Sequence, residues 1–269
     1  MLPTINIFGK DFSMYAIMAC LGVFAMLFVG SRICKRLKVD SNNLLVMGLW
    51  AAVGVVVGGH LVYGLTNFNQ IIYLFQHLDQ VTSFGVFWNT LVYIFGGQVF
   101  YGGLIGGLIA AWLYLKKTKK DVDLYMYIAA PLIPLFHAFG RIGCFLGGCC
   151  YGIEVEHGIT FHHSPIELAN GVSRLPIQLI ESGANFILFG VLYYLQRKGK
   201  CRQNLMFIYL LSYSVIRFVD EFFRGDLYRG FLGPFSTSQV ISLGLFVFSL
   251  VMIIMTTKKQ AKKPVSGGR

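Results

Sequence analysis

Apolar runs of about twenty residues recur along the 269-residue chain, separated by shorter polar stretches. They fall roughly at 13–31, 44–63, 97–115, 124–141, 176–196, 205–223 and 239–256. A bilayer crossing takes about 20 predominantly apolar residues, so each run predicts a membrane-spanning helix. Residues 64–96 read as an outward arm, where Ile71, Ile72, Leu74, Phe75, Leu78 and Val81 recur at the spacing of a helix lying in the interface. Residues 142–175 read as an outward loop. The basic residues follow the first apolar run, whereas a signal peptide carries them before it, so the first run reads as an uncleaved span. The pattern predicts an all-α polytopic membrane protein: one seven-helix domain over 1–257, then a basic cytoplasmic tail at 258–269.

Composition supports this class. Charged residues are 13% of the chain, against about 25% in a soluble domain, too few to cover a globule. The 55% hydrophobic content excludes disorder. A soluble chain with net charge +11 would suggest nucleic acid, but the location of the charge gives a different answer. Four clusters hold 17 of the 23 Lys and Arg residues: Arg32 to Lys38, Lys116 to Lys120, Arg197 to Arg202, and Lys258 to Arg269. Basic flanks stay in the cytoplasm. The intervals between clusters are 77, 76 and 55 residues, room for two crossings each. That gives seven spans, an outside N-terminus and a cytoplasmic C-terminus. The clusters then meet anionic lipid headgroups, and no nucleic-acid partner is needed.

Six basic residues run against this bias: Lys10, Arg141, Arg174, Arg217, Arg224 and Arg229. An arginine at a helix centre costs about 2.5–3.5 kcal/mol on insertion scales, and such residues usually mark function. Tyr213, Arg217, Glu221 and Arg224 are separated by four, four and three residues, so they share one helical face, with Asp220 off it. An internal Arg217–Glu221 pair would explain two of these charges; an anion site explains the second arginine as well. His137 and Arg141 lie one turn apart, downstream of Pro131 and Pro134, which predict a kink. The segment from Gly143 to Gly152 is glycine-rich, and guanidinium groups beside it suit a phosphate. Gln178, Glu181, Ser182 and Asn185 form a polar stripe, read either as site-facing or as a helix–helix seam. Gly102, Gly103, Gly106 and Gly107 favour close helix contact over a ligand cradle.

Cys34 and Cys201 fall on the reducing side, whereas Cys144, Cys149 and Cys150 fall outward, where disulfides form. An odd trio leaves at least one thiol unpaired. A zinc site would need a further partner, for which His162-His163 is the nearest candidate. No metal site is expected.

The run His137-Ala-Phe-Gly-Arg-Ile-Gly-Cys-Phe-Leu-Gly-Gly-Cys-Cys-Tyr-Gly152 resembles the signature of bacterial prolipoprotein diacylglyceryl transferases. So do Pro176-Ile-Gln-Leu-Ile-Glu181, Arg217-Phe-Val-Asp-Glu-Phe-Phe-Arg-Gly-Asp226 and Ser238-Gln239. Tyr101-Gly-Gly-Leu-Ile-Gly106 is similar to the family's His-Gly-Gly-Leu-Ile-Gly motif. The resemblance implies transfer of the diacylglyceryl group of phosphatidylglycerol to the lipobox cysteine of a lipoprotein precursor. The reaction forms a thioether and glycerol phosphate at the outer face of the bacterial plasma (inner) membrane, without metal or soluble cofactor. It implies catalytic roles for Arg141, Arg217 and Glu221, with Tyr101 or His137 as candidate base. It implies contacts to lipid or signal peptide from Tyr15, Gly102, Gly103, Cys144, Gly152, Gln178, Glu181, Tyr213 and Arg224. The sequence departs from the family at four points. Tyr101 stands for His, Cys144 for Asn, Cys149 for Glu, and Leu175 for the His that often precedes Pro176. These departures fit a divergent paralogue. They keep two alternatives open: transfer to another acceptor, and an inactive phosphatidylglycerol-binding protein. A transporter is disfavoured, because neither inverted repeats nor clearly broken spans are evident.

Overall fold

A computed structural model describes residues 2–226 and 231–261. Nine α-helices dominate the described residues: α1 (Met14–Leu37), α2 (Ser41–Thr66), α3 (Phe68–Gln76), α4 (Phe84–Phe95), α5 (Phe100–Lys117), α6 (Val122–Gly147), α7 (Ile177–Arg197), α8 (Leu205–Asp220) and α9 (Thr237–Ala261). Five of them, α1, α2, α6, α7 and α9, are each long and apolar enough to cross a membrane. The α4–α5 pair, bent by 96°, adds a sixth. α8 has 16 residues, short of the roughly 20 expected of a span, because Glu221–Phe223 tighten into a 3-10 turn. Five to six helices therefore meet the length requirement, against the seven expected. The all-α expectation holds except for three two-stranded antiparallel sheets: β1 (Thr4–Ile7) with β2 (Lys10–Ser13), β3 (Glu154–Thr160) with β4 (Ser173–Arg174), and β5 (Phe231–Leu232) with β6 (Phe235–Ser236).

The chain forms two compact units, Met1–Val39 with Asp123–Arg269, and Asp40–Val122. In the second unit Asp40 caps α2, its carboxylate accepting from the Asn42 N–H at 2.9 Å. α2 packs closely on α5 because glycines face each other. A Cβ on Gly106 would lie 2.3 Å from the Gly54 carbonyl oxygen, and one on Gly102 2.4 Å from that of Gly58. Gly103 and Gly107 meet Val55 in the same way. The glycine stripe is thus a helix contact, as its spacing favours. Gly106→Ala is expected to force the two helices apart at a cost of about 1–3 kcal/mol, read as a lower melting temperature in detergent.

In the first unit, α1 crosses α6 at Gly22, where a Cβ would meet both Phe136 and Phe139 at 3.0 Å. α6 runs through Pro131 and Pro134 and continues to Gly147, beyond the expected loop start at 142. The extra turns are apolar (Ile142, Phe145, Leu146), and Gly143 admits the Tyr15 ring at 3.1 Å. Ser182 of α7 donates to the Ala138 carbonyl at 2.9 Å. At the opposite end of these helices Tyr127 donates to the Gln196 carbonyl at 2.8 Å, and Arg36 hydrogen-bonds the Gln196 side chain. Arg174, one of the six outlying basic residues, is structural. It is buried, donates to the carbonyls of Leu168 (2.6 Å) and Ala169 (3.3 Å), pairs with Glu154 at 3.3 Å and stacks on Tyr151. Arg229 and the tail residues Lys262, Lys263 and Arg269 lie outside the described residues.

Candidate active site

Glu181 organises a polar cluster in the first unit. It projects from the second turn of α7 and is 2% exposed. Its Oε2 forms an ion pair with Arg141 Nε of α6 at 2.7 Å. Its Oε1 lies 3.5 Å from His137 Nε2 and accepts from the Tyr213 hydroxyl of α8 at 3.5 Å. The His137 ring stands edge-on to Tyr213 with centroids 5.1 Å apart, and Tyr213 stacks on Tyr209. His137 and Arg141, one turn apart on α6, thus present side chains to one carboxylate supplied by another helix.

Arg217 forms the second centre. Its Nη2 pairs with Glu221 Oε2 at 2.7 Å, the expected i,i+4 contact, and donates to Ser238 Oγ of α9 at 3.2 Å. The head of α9 is fixed by a capping box. Gln239 N donates to Ser236 Oγ at 3.1 Å, and Ser236 N donates to Gln239 Oε1 at 3.0 Å. This explains the Ser238-Gln239 motif: the cap sets the helix start, and Ser238 then reaches Arg217. Arg217 and Arg224 both lie within electrostatic reach of Glu181.

Arg224 corrects the single-face expectation. α8 ends at Asp220, and the Arg224 backbone is extended and bridges Gly152. Its guanidinium grips Asp226 through both oxygens, at 2.9 and 2.5 Å. Gly152 threads a narrow gap. A Cβ there would sit 2.3 Å from the Leu175 carbonyl oxygen, while a Cβ on Gly225 would sit 2.4 Å from that of Gly152. Ile153 N donates to Phe223 O at 3.0 Å, and Leu175 N to Ile153 O at 2.9 Å, so this crossing ties the loop after α6 to the chain after α8. Gly152→Ala is expected to separate these strands and give a poorly folded protein, seen as faster limited proteolysis of the 148–175 segment in membranes.

The arginines are therefore largely charge-balanced by Glu181, Glu221 and Asp226. Two buried arginine nitrogens remain outside both the ion pairs and the hydrogen bonds of the described residues. Arg141 Nη2 and Arg217 Nη1 are buried and have no hydrogen-bond partner among the described residues. A buried guanidinium nitrogen without an acceptor costs about 1–3 kcal/mol or more. An anion that accepts from both would remove that cost. Asp220, which sequence reasoning placed off the face, is also buried, and its charge interacts with Glu181 and Arg217. Lying between Val219 and Glu221 and off the shared face, it gave no spacing signal, and only packing brings it in. Asp226 was hidden in the same way, since a two-residue spacing to Arg224 matches no helical face.

Tyr15 lies against Gly143, with its charge environment set in part by Arg141 and the cysteine trio. Gln178 Nε2 donates to the Cys149 carbonyl at 2.7 Å, and Asn185 to the Glu181 carbonyl at 2.9 Å. The fifth-span stripe thus serves both readings: Ser182 forms a seam with α6, Asn185 bonds within α7 itself, and Glu181 faces the cluster. Tyr101 is buried in the first turn of α5, with Gly102 and Gly103 in the α2 contact.

The family model for prolipoprotein diacylglyceryl transferase matches residues 3–255. The chain belongs to the prolipoprotein diacylglyceryl transferase family. Phosphatidylglycerol–prolipoprotein diacylglyceryl transferase of Clostridium tetani is 32% identical over 252 residues, covering 91% of this chain and 95% of that protein. Phosphatidylglycerol–prolipoprotein diacylglyceryl transferase 2 of Clostridium perfringens is 30% identical over 260 residues, with 96% of each covered. A Campylobacter jejuni phosphatidylglycerol–prolipoprotein diacylglyceryl transferase is 30% identical over 256 residues, covering 93% of this chain and 91% of that protein. In this diacylglyceryl transferase family member, the charged residues quoted for the resemblance from α6, α7 and α8 gather in one unit.

Proposed function

We propose that this protein transfers the diacylglyceryl group of phosphatidylglycerol to the lipobox cysteine thiol in the signal peptide of a lipoprotein precursor. The sulfur forms a bond to the terminal glyceryl carbon as that carbon's bond to the phosphate oxygen breaks. Glycerol phosphate leaves, and the thiol proton ends on solvent or on the departing phosphate. Thiolate is the competent nucleophile. Negative charge that grows on the leaving phosphate is met by preorganised guanidinium donors in a water-poor site. The observation that carries this reading is the pair of buried, acceptor-free nitrogens, Arg141 Nη2 and Arg217 Nη1. Glu181 and Glu221 hold the two guanidinium groups from the other side.

The same proposal places seven crossings in the plasma membrane, with α8 and its 3-10 turn as the sixth. The N-terminus is outside, the C-terminus inside, and the charged cluster lies toward the outer leaflet. Basic residues at the C-terminal ends of α1, α5, α7 and α9 support this sidedness. In this proposal residues 1–257 are a single seven-helix transferase domain that carries the outward arm and the outward loop, and 258–269 are its cytoplasmic tail. A second reading, a paralogue acting on another acceptor, is supported by Tyr101, Cys144 and Cys149 at positions where the resemblance calls for His, Asn and Glu.

Purified protein given radiolabelled phosphatidylglycerol and a lipobox peptide is expected to yield labelled thioether-linked peptide. Lipid binding without any labelled peptide would overturn transfer to the lipobox cysteine and leave the inactive-binder and other-acceptor readings. Product on a different acceptor, found by mass spectrometry of a deletion strain, would establish the paralogue. For His137, which sits behind Glu181 rather than alone, His137→Gln is expected to lower turnover while leaving the shape of the pH–rate profile unchanged. A lost ionisation limb in that profile would instead identify it as the base.

A further inference from the structure

The cysteine trio is a prepared cluster that the transfer reaction does not use. α6 ends in a Schellman motif: Cys149 N donates to Cys144 O at 3.1 Å and Gly148 N to Phe145 O at 3.2 Å, with Gly148 left-handed at φ +74°. That closure folds Cys149 back over the last turn, where its thiol donates to the Cys144 carbonyl at 3.6 Å. Cys150 is itself left-handed at φ 56°, a conformation unusual outside glycine, which reverses the chain again. The loop is pinned on two sides. Ser164 Oγ donates to Gly148 O at 2.7 Å, and Gln178 donates to Cys149 O at 2.7 Å. The result is that the sulfur atoms of Cys144, Cys149 and Cys150 all lie within 4.8 Å of one another, each a free thiol.

We propose that Cys144, Cys149 and Cys150 form a binding site for one thiophilic d10 cation of the zinc(II) class, held by three thiolates. Zinc–thiolate bonds of about 2.3 Å place sulfurs on one ion about 3.8 Å apart, so the trio needs to close by about 1 Å at most. A disulfide would use two sulfurs and strand the third, whereas a cation uses all three. Binding releases three thiol protons to solvent and leaves a complex of net charge −1. Arg141, one turn before Cys144, and Arg224 both interact electrostatically with Cys150 and offset that charge. His162 and His163, the sequence-based candidates for a fourth ligand, are exposed and outside the cluster. The fourth position falls to water or another small ligand, as at open zinc sites. Cys144 thereby becomes a metal ligand rather than the lipid contact implied by its motif position.

Cobalt(II) is the probe. The full-length protein, reduced and purified in detergent, is expected to develop thiolate-to-cobalt charge-transfer absorption that saturates at about one equivalent, and zinc should bleach it. Zinc should also protect three thiols from alkylation, located at Cys144, Cys149 and Cys150 by peptide mass spectrometry. Cys150→Ser should abolish the saturating signal; His162→Ala and the combined Cys20→Ser, Cys34→Ser and Cys201→Ser variant should retain it. Failure of the wild-type protein to give the band, or retention of the full band by Cys150→Ser, overturns the site. So does a reduced protein that binds no cobalt but re-forms a disulfide within the trio. These readouts do not involve lipid transfer, so the site and the transferase reading stand or fall separately.

Discussion

Arg217→Ala is expected to lower turnover about 10²–10³-fold while the protein still folds and binds lipid, the loss typical of removing one preorganised donor to developing charge. Arg217 is 6% exposed and reaches Glu221 and Ser238 with one terminal nitrogen, leaving Nη1 without an acceptor. An interaction made mainly in the transition state shows itself in kcat more than in KM. Arg217→Lys keeps the charge but loses the fork, and should recover only part of the activity. Glu221 would be stranded by the alanine change, so the double variant Arg217→Ala, Glu221→Gln provides the control. It should restore stability without restoring turnover. Normal transfer of radiolabelled lipid by Arg217→Ala would remove the anion-site account.

Glu181→Ala carries the second large effect, on stability. The carboxylate is 2% exposed and answers Arg141, whose side chain is 7% exposed. Removing one partner of a buried ion pair costs about 3–5 kcal/mol, because the other charge is left without compensation. Here His137 and Tyr213 lose their shared acceptor as well. Unfolding in detergent should show a correspondingly lower melting temperature. Arg141→Ala on the same background should regain part of the loss, a coupling that a double-mutant cycle measures. Equal stability of the wild-type and Glu181→Ala proteins would show that the pair contributes nothing to the fold.

Much of the architecture is legible along the chain. Six of the seven predicted runs lie within or largely within helices whose ends extend beyond them by a few residues. The seventh, at 205–223, ends in a tighter turn than predicted. Two errors share one cause. The loop expected from 142 begins after Gly147, and Arg224 leaves the helical face it was assigned. The glycine-rich stretch from Gly143 reads as loop, yet Gly143 stays helical and admits Tyr15, and the helical spacing that puts Arg224 on one face runs on through residues where the chain has already turned. In both places a tertiary neighbour outweighed local propensity.

The sequence by itself determined what depends on neighbours a few residues apart: the apolar spans, the basic helix ends, the Arg217–Glu221 pair, and the glycine faces that let α2 and α5 approach. A helix repeats every 3.6 residues, so such contacts follow from spacing alone. Only the tertiary structure decided that Glu181 answers Arg141, that Ser238 reaches Arg217, and that three cysteines share one space. Those contacts join different helices or the two sides of a reversed loop. Their partners are set by how helices rotate and pack, and by which backbone turns a neighbouring side chain holds in place.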